Sequence, residues 1–161
     1  MIRFAAAEDH PAIAAVTQAA FGRPDEGRIV ERLRADEDVM FELVAQAEGE
    51  VVGHIAFSRL WADRDDLYAA LGPMAVRPGR QRSGVGSALV RRGLECAPQF
   101  GAVGVIVLGH PEFYPRFGFS AAAAARVAAP YQGQPAFMAL ALVDGAFEAP
   151  LSVAYPDAFS G

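Results

Sequence analysis

The sequence predicts an α+β fold, one domain in which helices flank a mixed, mostly antiparallel sheet. Three observations carry this. Strand-like and helix-like segments alternate with short connections, and no linker or internal repeat interrupts them. Two apolar stretches, residues 41–47 and 51–60, flank Glu48-Gly49-Glu50, a hairpin signal and hence an antiparallel pair. Residues 103–108 form an unbroken apolar run reached through a helical segment, the pattern of a strand covered on both faces. With 161 residues, 53% of them hydrophobic, the chain can bury the core of a single domain over residues 1–161.

The elements follow in order. Residues 2–5 read as a strand, and Glu8-Asp9 are placed to cap a helix over 11–20. Pro24-Asp25-Glu26 opens a second helix, whose Ile29, Val30 and Leu33 make an apolar stripe against Glu31, Arg32 and Arg34. After the hairpin, residues 67–76 supply another strand, and a long helix runs from the loop that follows it to Phe100. A short helix over 111–117 and a late strand over 137–142 come after the buried strand, while the tail through Tyr155-Pro156-Asp157-Ala158-Phe159 has few regular signals.

The most informative stretch is Gln81-Arg82-Ser83-Gly84-Val85-Gly86, between the apolar strand and the helical Ser87-Ala88-Leu89-Val90. Two glycines two apart let the backbone curl without Cβ obstruction, so that successive N–H groups converge at the positive end of a helix. That is an anion cradle. A dinucleotide fingerprint needs a third glycine where Leu89 stands, and a P-loop needs a lysine, whereas all 14 basic residues are arginines. The plain alternative is a turn with Ser83 as helix N-cap. The net charge of −5 argues against a nucleic-acid partner. Arg77, Arg80, Arg82, Arg91 and Arg92 form a local basic patch that suits a small anion.

The single cysteine, Cys96, excludes an intramolecular disulfide and fits a reducing cytoplasm. Its place in the apolar set with Leu89, Leu94 and Phe100 reads as a small buried hydrophobe rather than a nucleophile. No apolar run reaches the roughly 18 residues of a membrane span and no signal peptide opens the chain, so a cytoplasmic location without membrane contact is expected.

The order Gln/Arg-x-x-Gly-x-Gly/Ala, filled by Gln81, Gly84 and Gly86, resembles the pyrophosphate-binding signature of the GNAT superfamily of N-acetyltransferases. A second block sharpens the resemblance. Gly109-His110-Pro111-Glu112-Phe113-Tyr114-Pro115-Arg116-Phe117-Gly118-Phe119 is similar to the superfamily's second acyl-CoA block, in the form carried by a bacterial subgroup of predicted acetyltransferases. The opening Ile2-Arg3-Phe4-Ala5 and the helix after it match as well, so the resemblance spans nearly the whole chain.

The resemblance implies a GNAT-like domain, acetyl-CoA as co-substrate without a metal, and a small-molecule or peptide amine as acceptor, with a homodimer left open. It implies that the strand before the loop binds the pantetheine arm through the backbone of Met74, Ala75 and Val76, and that Gln81, Arg82, Ser83, Gly84, Val85, Gly86 and Ser87 hold the pyrophosphate. Gly72-Pro73 just upstream gives that strand a physical reason to leave regular pairing, because proline has no ladder donor.

Tyr114 corresponds to a residue near the thioester sulfur, where a phenol can donate to the departing thiolate; the competing reading packs it with its aromatic neighbours. Phe117 stands in the cofactor set, with packing beside Phe119 as its alternative. His110 reads as a loop contact or a base. Many superfamily members place a glutamate base where this chain has Ala70, so the base is a water, Glu26, His54 or the Asp63-Asp65-Asp66 cluster. His54 shares a strand face with Ala56 and Ser58 and is expected to line a cleft, or else to be a hydrogen-bonded packing residue, and the acidic cluster reads as a solvated loop. The alternative to an enzyme is a non-catalytic acyl-CoA-binding regulatory domain, with a nucleotide binder a distant third.

Overall fold

The structure, a computed structural model, describes residues 1–160. Its elements are β1 (Ile2–Phe4), α1 (His10–Phe21), α2 (Asp25–Ala35), β2 (Val39–Ala47), β3 (Glu50–Ala62), β4 (Leu67–Val76), α3 (Val85–Cys96), β5 (Ala102–Leu108), β6 (Val127–Ala128), β7 (Phe137–Ala141) and β8 (Leu151–Ala154). The sheet runs β1-β2-β3-β4-β5-β7, and β8 pairs with the far end of β3 through Trp61↔Ala154 and Ala62↔Val153. Along the main path only β4 and β5, joined through α3, are parallel. This is the mixed, mostly antiparallel α+β architecture read from the sequence.

Local chemistry explains the ends of these elements. Glu48 and Gly49 both take positive φ (53° and 79°), which matches the twist of a two-residue hairpin turn between β2 and β3. In α2, Asp25 and Glu26 occupy the first turn and Arg32 and Arg34 the last, each sign at the dipole end that favours it. Helix α3 tightens into a single 3₁₀ turn at Ala97–Phe100, where Pro98 offers no amide to continue it.

The cap expected from Glu8-Asp9 is not made. Asp9 turns back, accepting from the Ala6 amide at 2.7 Å and pairing with Arg3 at 2.7 Å, and so ties β1 to the start of α1. Nor does Ser83 cap α3; its hydroxyl donates to the Arg80 carbonyl.

Two layers cover the sheet. On one face α3 packs Leu89, Val90 and Cys96 against Ile55, Phe57, Val105 and Val107. On the other, Ile13 and Val16 of α1 meet Val44, Val51 and Ala75, while Ile106 lies with Tyr68, Ala70 and Phe137. The alternation of Val105, Ile106 and Val107 between faces shows why β5 is apolar throughout. Strands β6 and β8 had no signal in the sequence.

Candidate active site

Strands β4 and β5 pair only from Leu67 to Leu71, where the last partner is Val107. Beyond that point β4 stays with β3, through Met74↔Ile55, Ala75↔His54 and Val76↔Gly53. Between Leu71 and Met74 it carries one residue more than β3 does, at Gly72-Pro73. Proline has no N–H to give a ladder, so the break falls where the backbone chemistry weakens pairing. From Gly72 onward the β5-side edge of β4 has no strand partner.

A cleft of about 610 Å³ opens on the α3 side of this parting, lined by Met74, Val76, Gln81, Arg82, Gly84, Gly86, Ser87, His110, Phe113 and Arg116. Gly84 is the N-cap of α3 at φ 91°, a conformation that L side chains rarely adopt. The first in-helix bond of α3 is Ala88 N–H to the Gly84 carbonyl, so the preceding amides of Val85, Gly86 and Ser87 have no partner within the helix. A Cβ added at Gly86 would stand at 3.6 to 3.9 Å from Met74, Val76 and Phe113, inside the cleft. The Gln81 side chain donates to the Val76 carbonyl at 3.0 Å and braces the loop against β4.

The basic patch resolves into distinct roles. Arg77 is tied to Glu50 and the Val51 carbonyl, Arg80 faces Glu48, Arg92 faces Glu95, and Arg91 covers the Phe117 ring at 5.3 Å. Among the described residues, Arg82 and Arg116 form no ion pair, and both line the cleft. Arg116, contributed by the second block, is a cationic cleft residue that the sequence reading did not single out.

On the α1–α2 side lies a second cavity of about 380 Å³. Its walls include Phe21, Glu26 and Ile29 from the helices, Ala70 and Ile106 from the sheet, and Tyr131, Tyr155 and Phe159 from the end of the chain. The two spaces share Met74 and His110, so they meet at the parted strands.

Tyr114 borders the second cavity at this meeting point. Its ring stands edge-on to Phe113 and Phe119, at 5.0 and 5.8 Å, and lies so close to the backbone that a Cβ at Gly109 would be 2.3 Å from it. Burial pushes the phenol up to about 12, so it keeps its proton.

The other residues singled out in the sequence divide. Ala75 points to the α1 face, buried with Ile13 and Val16, so only its backbone is available to the cleft. The Val85 side chain packs over Gly53, and Phe117 lines neither space. Glu26 does reach the second cavity; two hydrogen bonds from Arg23, at 3.0 and 2.7 Å, hold its carboxyl below the usual range.

His54 is not in a cleft. It lies fully buried under α1, its Nε2 2.8 Å from Glu42, which Arg34 also binds at 2.8 Å. Burial lowers its pKa, Nε2 faces the Glu42 carboxylate, which can only accept, and Nδ1 has no partner among the described residues. Asp63, Asp65 and Asp66 sit in the β3–β4 turn away from both spaces. Cys96 is buried and free.

Known proteins share this fold. The chain is 36% identical over 125 residues to the uncharacterized N-acetyltransferase YhbS of Escherichia coli K12, covering 76% of this chain and 75% of that one. The crystal structure of E. coli YhbS in complex with CoA superposes with a TM-score of 0.90 at 31% identity, over 100% of this chain and 92% of the other. A GNAT family acetyltransferase from Brucella melitensis, in complex with acetyl-CoA, gives 0.83 at 36% identity, over 99% and 97%. Residues 7–119, from the turn before α1 through the Phe-Gly-Phe block, match the acetyltransferase (GNAT) family, and the chain belongs to that family.

Proposed function

We propose that the protein transfers the acetyl group of acetyl-CoA to a primary amine of a small molecule or peptide, by direct attack in a ternary complex, with residues 1–161 acting as one acyltransferase domain. The observation that carries this reading is the meeting of two separate spaces at the parted β4 and β5 strands. One suits a phosphate-bearing thioester, the other an acceptor. A regulatory acyl-CoA sensor has no use for the second.

In this reading the amides at the start of α3, with Gln81, Arg82 and Ser83, hold the pyrophosphate, and Arg116 adds charge opposite them. The backbone of Met74 to Val76 receives the pantetheine arm and, at the thioester, the oxyanion. The neutral amine forms the new N–C bond as the C–S bond breaks. Tyr114 donates to the sulfur, and the proton lost from nitrogen balances the one the thiolate gains. Ala70 leaves the sheet without a carboxylate here, so the ammonium loses its proton through water, with Glu26 as the one carboxylate lining the cavity among the described residues.

Thiol release by the purified protein with acetyl-CoA and a broad amine and peptide panel tests this reading. Tight acetyl-CoA binding without transfer to any acceptor replaces it with the regulatory domain.

A further inference from the structure

The charges around the second cavity decide what can enter it. At about 380 Å³ the space is in the range of small-molecule sites. Its walls are mostly apolar, and two of the side chains on them are still open to water: Phe21 and Leu108 keep 39% and 43% of their surface exposed. An apolar body seated there covers both, which favours its binding.

Among the described residues, Glu26 is the one carboxylate on the walls and no arginine lines them, and the chain has no lysine. Arg23 pairs with Glu26, but the pair is oriented. Glu26, with 14% of its side chain exposed, faces the cavity, while Arg23, 61% exposed, lies outside the lining. Each carboxylate oxygen accepts one hydrogen bond from Arg23 and keeps a lone pair for a further donor. The start of α2 offers no seat for an anion either, because Asp25 and Glu26 already fill its first turn with negative charge. His110 stands where the cavity meets the cofactor cleft, 3.8 Å from Glu112, so a positive charge formed there has a carboxylate beside it already. The remaining polar side chains on the walls are phenols, which bring no counter-charge to an anion.

We infer that the acceptor, on the acetyltransferase reading on which this rests, is a primary ammonium on an apolar body with no anionic group beside the nitrogen. The Glu26 carboxylate draws the ammonium, and the body lies against Phe21 and Leu108. This excludes α-amino acids, whose carboxylate enters the cavity with the amine. Such a carboxylate has to leave water with no cation to receive it and shares the space with Glu26.

Calorimetry on the CoA-loaded protein tests the cavity without requiring turnover, using four six-carbon probes: n-hexylamine, 1-hexanol, L-norleucine and L-norleucinamide. Hexylamine should bind about 5- to 10-fold more tightly than hexanol, which lacks the positive charge. Norleucine should bind on the order of 10²-fold more weakly than hexylamine. Norleucinamide, of the same size as norleucine but without the negative charge, should recover about 10-fold of that loss. In Glu26→Gln the preference for hexylamine over hexanol should vanish while CoA affinity holds. Norleucine binding as tightly as hexylamine or norleucinamide, a preference over hexanol that survives in Glu26→Gln, or no measurable hexylamine binding overturns the assignment. Thiol release with the three amines separates the two readings. Hexylamine binding in the expected order without transfer to any amine sinks the acetyltransferase reading and leaves the charge assignment standing; transfer that favours norleucine does the reverse.

Discussion

Tyr114 and Gly109 act as a pair. The ring occupies the space that any side chain at 109 would need, so the position of the phenol depends on the absence of a Cβ. On the proposed mechanism, in which the hydroxyl donates to the leaving sulfur, Tyr114→Phe should lower turnover by roughly 10²-fold while acetyl-CoA affinity stays constant. Gly109→Ala should lower turnover too, with Tyr114 itself unchanged. Parallel thiol-release kinetics and calorimetry check both. Wild-type turnover in Tyr114→Phe would make the residue structural. At the cradle, Gly86→Glu places a carboxylate in the cleft where phosphate is expected and should weaken CoA by on the order of 100-fold in a folded protein. Unchanged affinity would remove the basis of the cofactor assignment. These residues were legible because short motifs bring them together in sequence. Tyr131, Tyr155 and Phe159 follow no period, and only the fold assembles them.

At the scale of elements, the Arg34–Glu42–His54 cluster joins α2, β2 and β3. Burial opposes ionisation of Glu42, but hydrogen bonds from His54 and Arg34 hold it at about 2. Burial also lowers His54. Both folded-state values lie below their ordinary ones of 4.5 and 6.5, so the unfolded chain binds more protons and stability falls with pH. The melting temperature should therefore drop as the pH goes below about 6.5 through His54 and again below about 4.5 through Glu42. In His54→Gln the upper part of that drop should disappear, as thermal melts followed by circular dichroism would reveal, while the pH–rate profile keeps its shape. A changed rate profile would return His54 to the chemistry. By contrast, Glu26→Gln should raise the KM for the amine and leave that for acetyl-CoA alone. Alternation along β3 correctly put His54, Ala56 and Ser58 on one face, but no local pattern tells whether a face lies under a helix or along a cleft. The same limit hid β8, whose four residues are a strand only because β3 and β6 are there to pair with them.

Across the whole molecule, apolar periodicity and the hairpin made the α+β class and the mixed sheet legible, and the strand order came with the family resemblance. Gly72-Pro73 announced that β4 would leave its ladder. Beyond residue 119 the chain returns to line the second cavity with Tyr131, Tyr155 and Phe159.

The parting of β4 from β5 has a consequence for inhibition. It joins the two spaces at Met74 and His110, so on the proposed function a single molecule long enough to thread both is held at both ends. A conjugate in which the CoA sulfur is joined through a methylene carbonyl to the nitrogen of a primary amine that the protein accepts should bind about 10²-fold or more beyond the tighter of its halves, because each half raises the effective concentration of the other. Calorimetry would give the gain, and competition against both substrates would show that the conjugate occupies the passage from side to side.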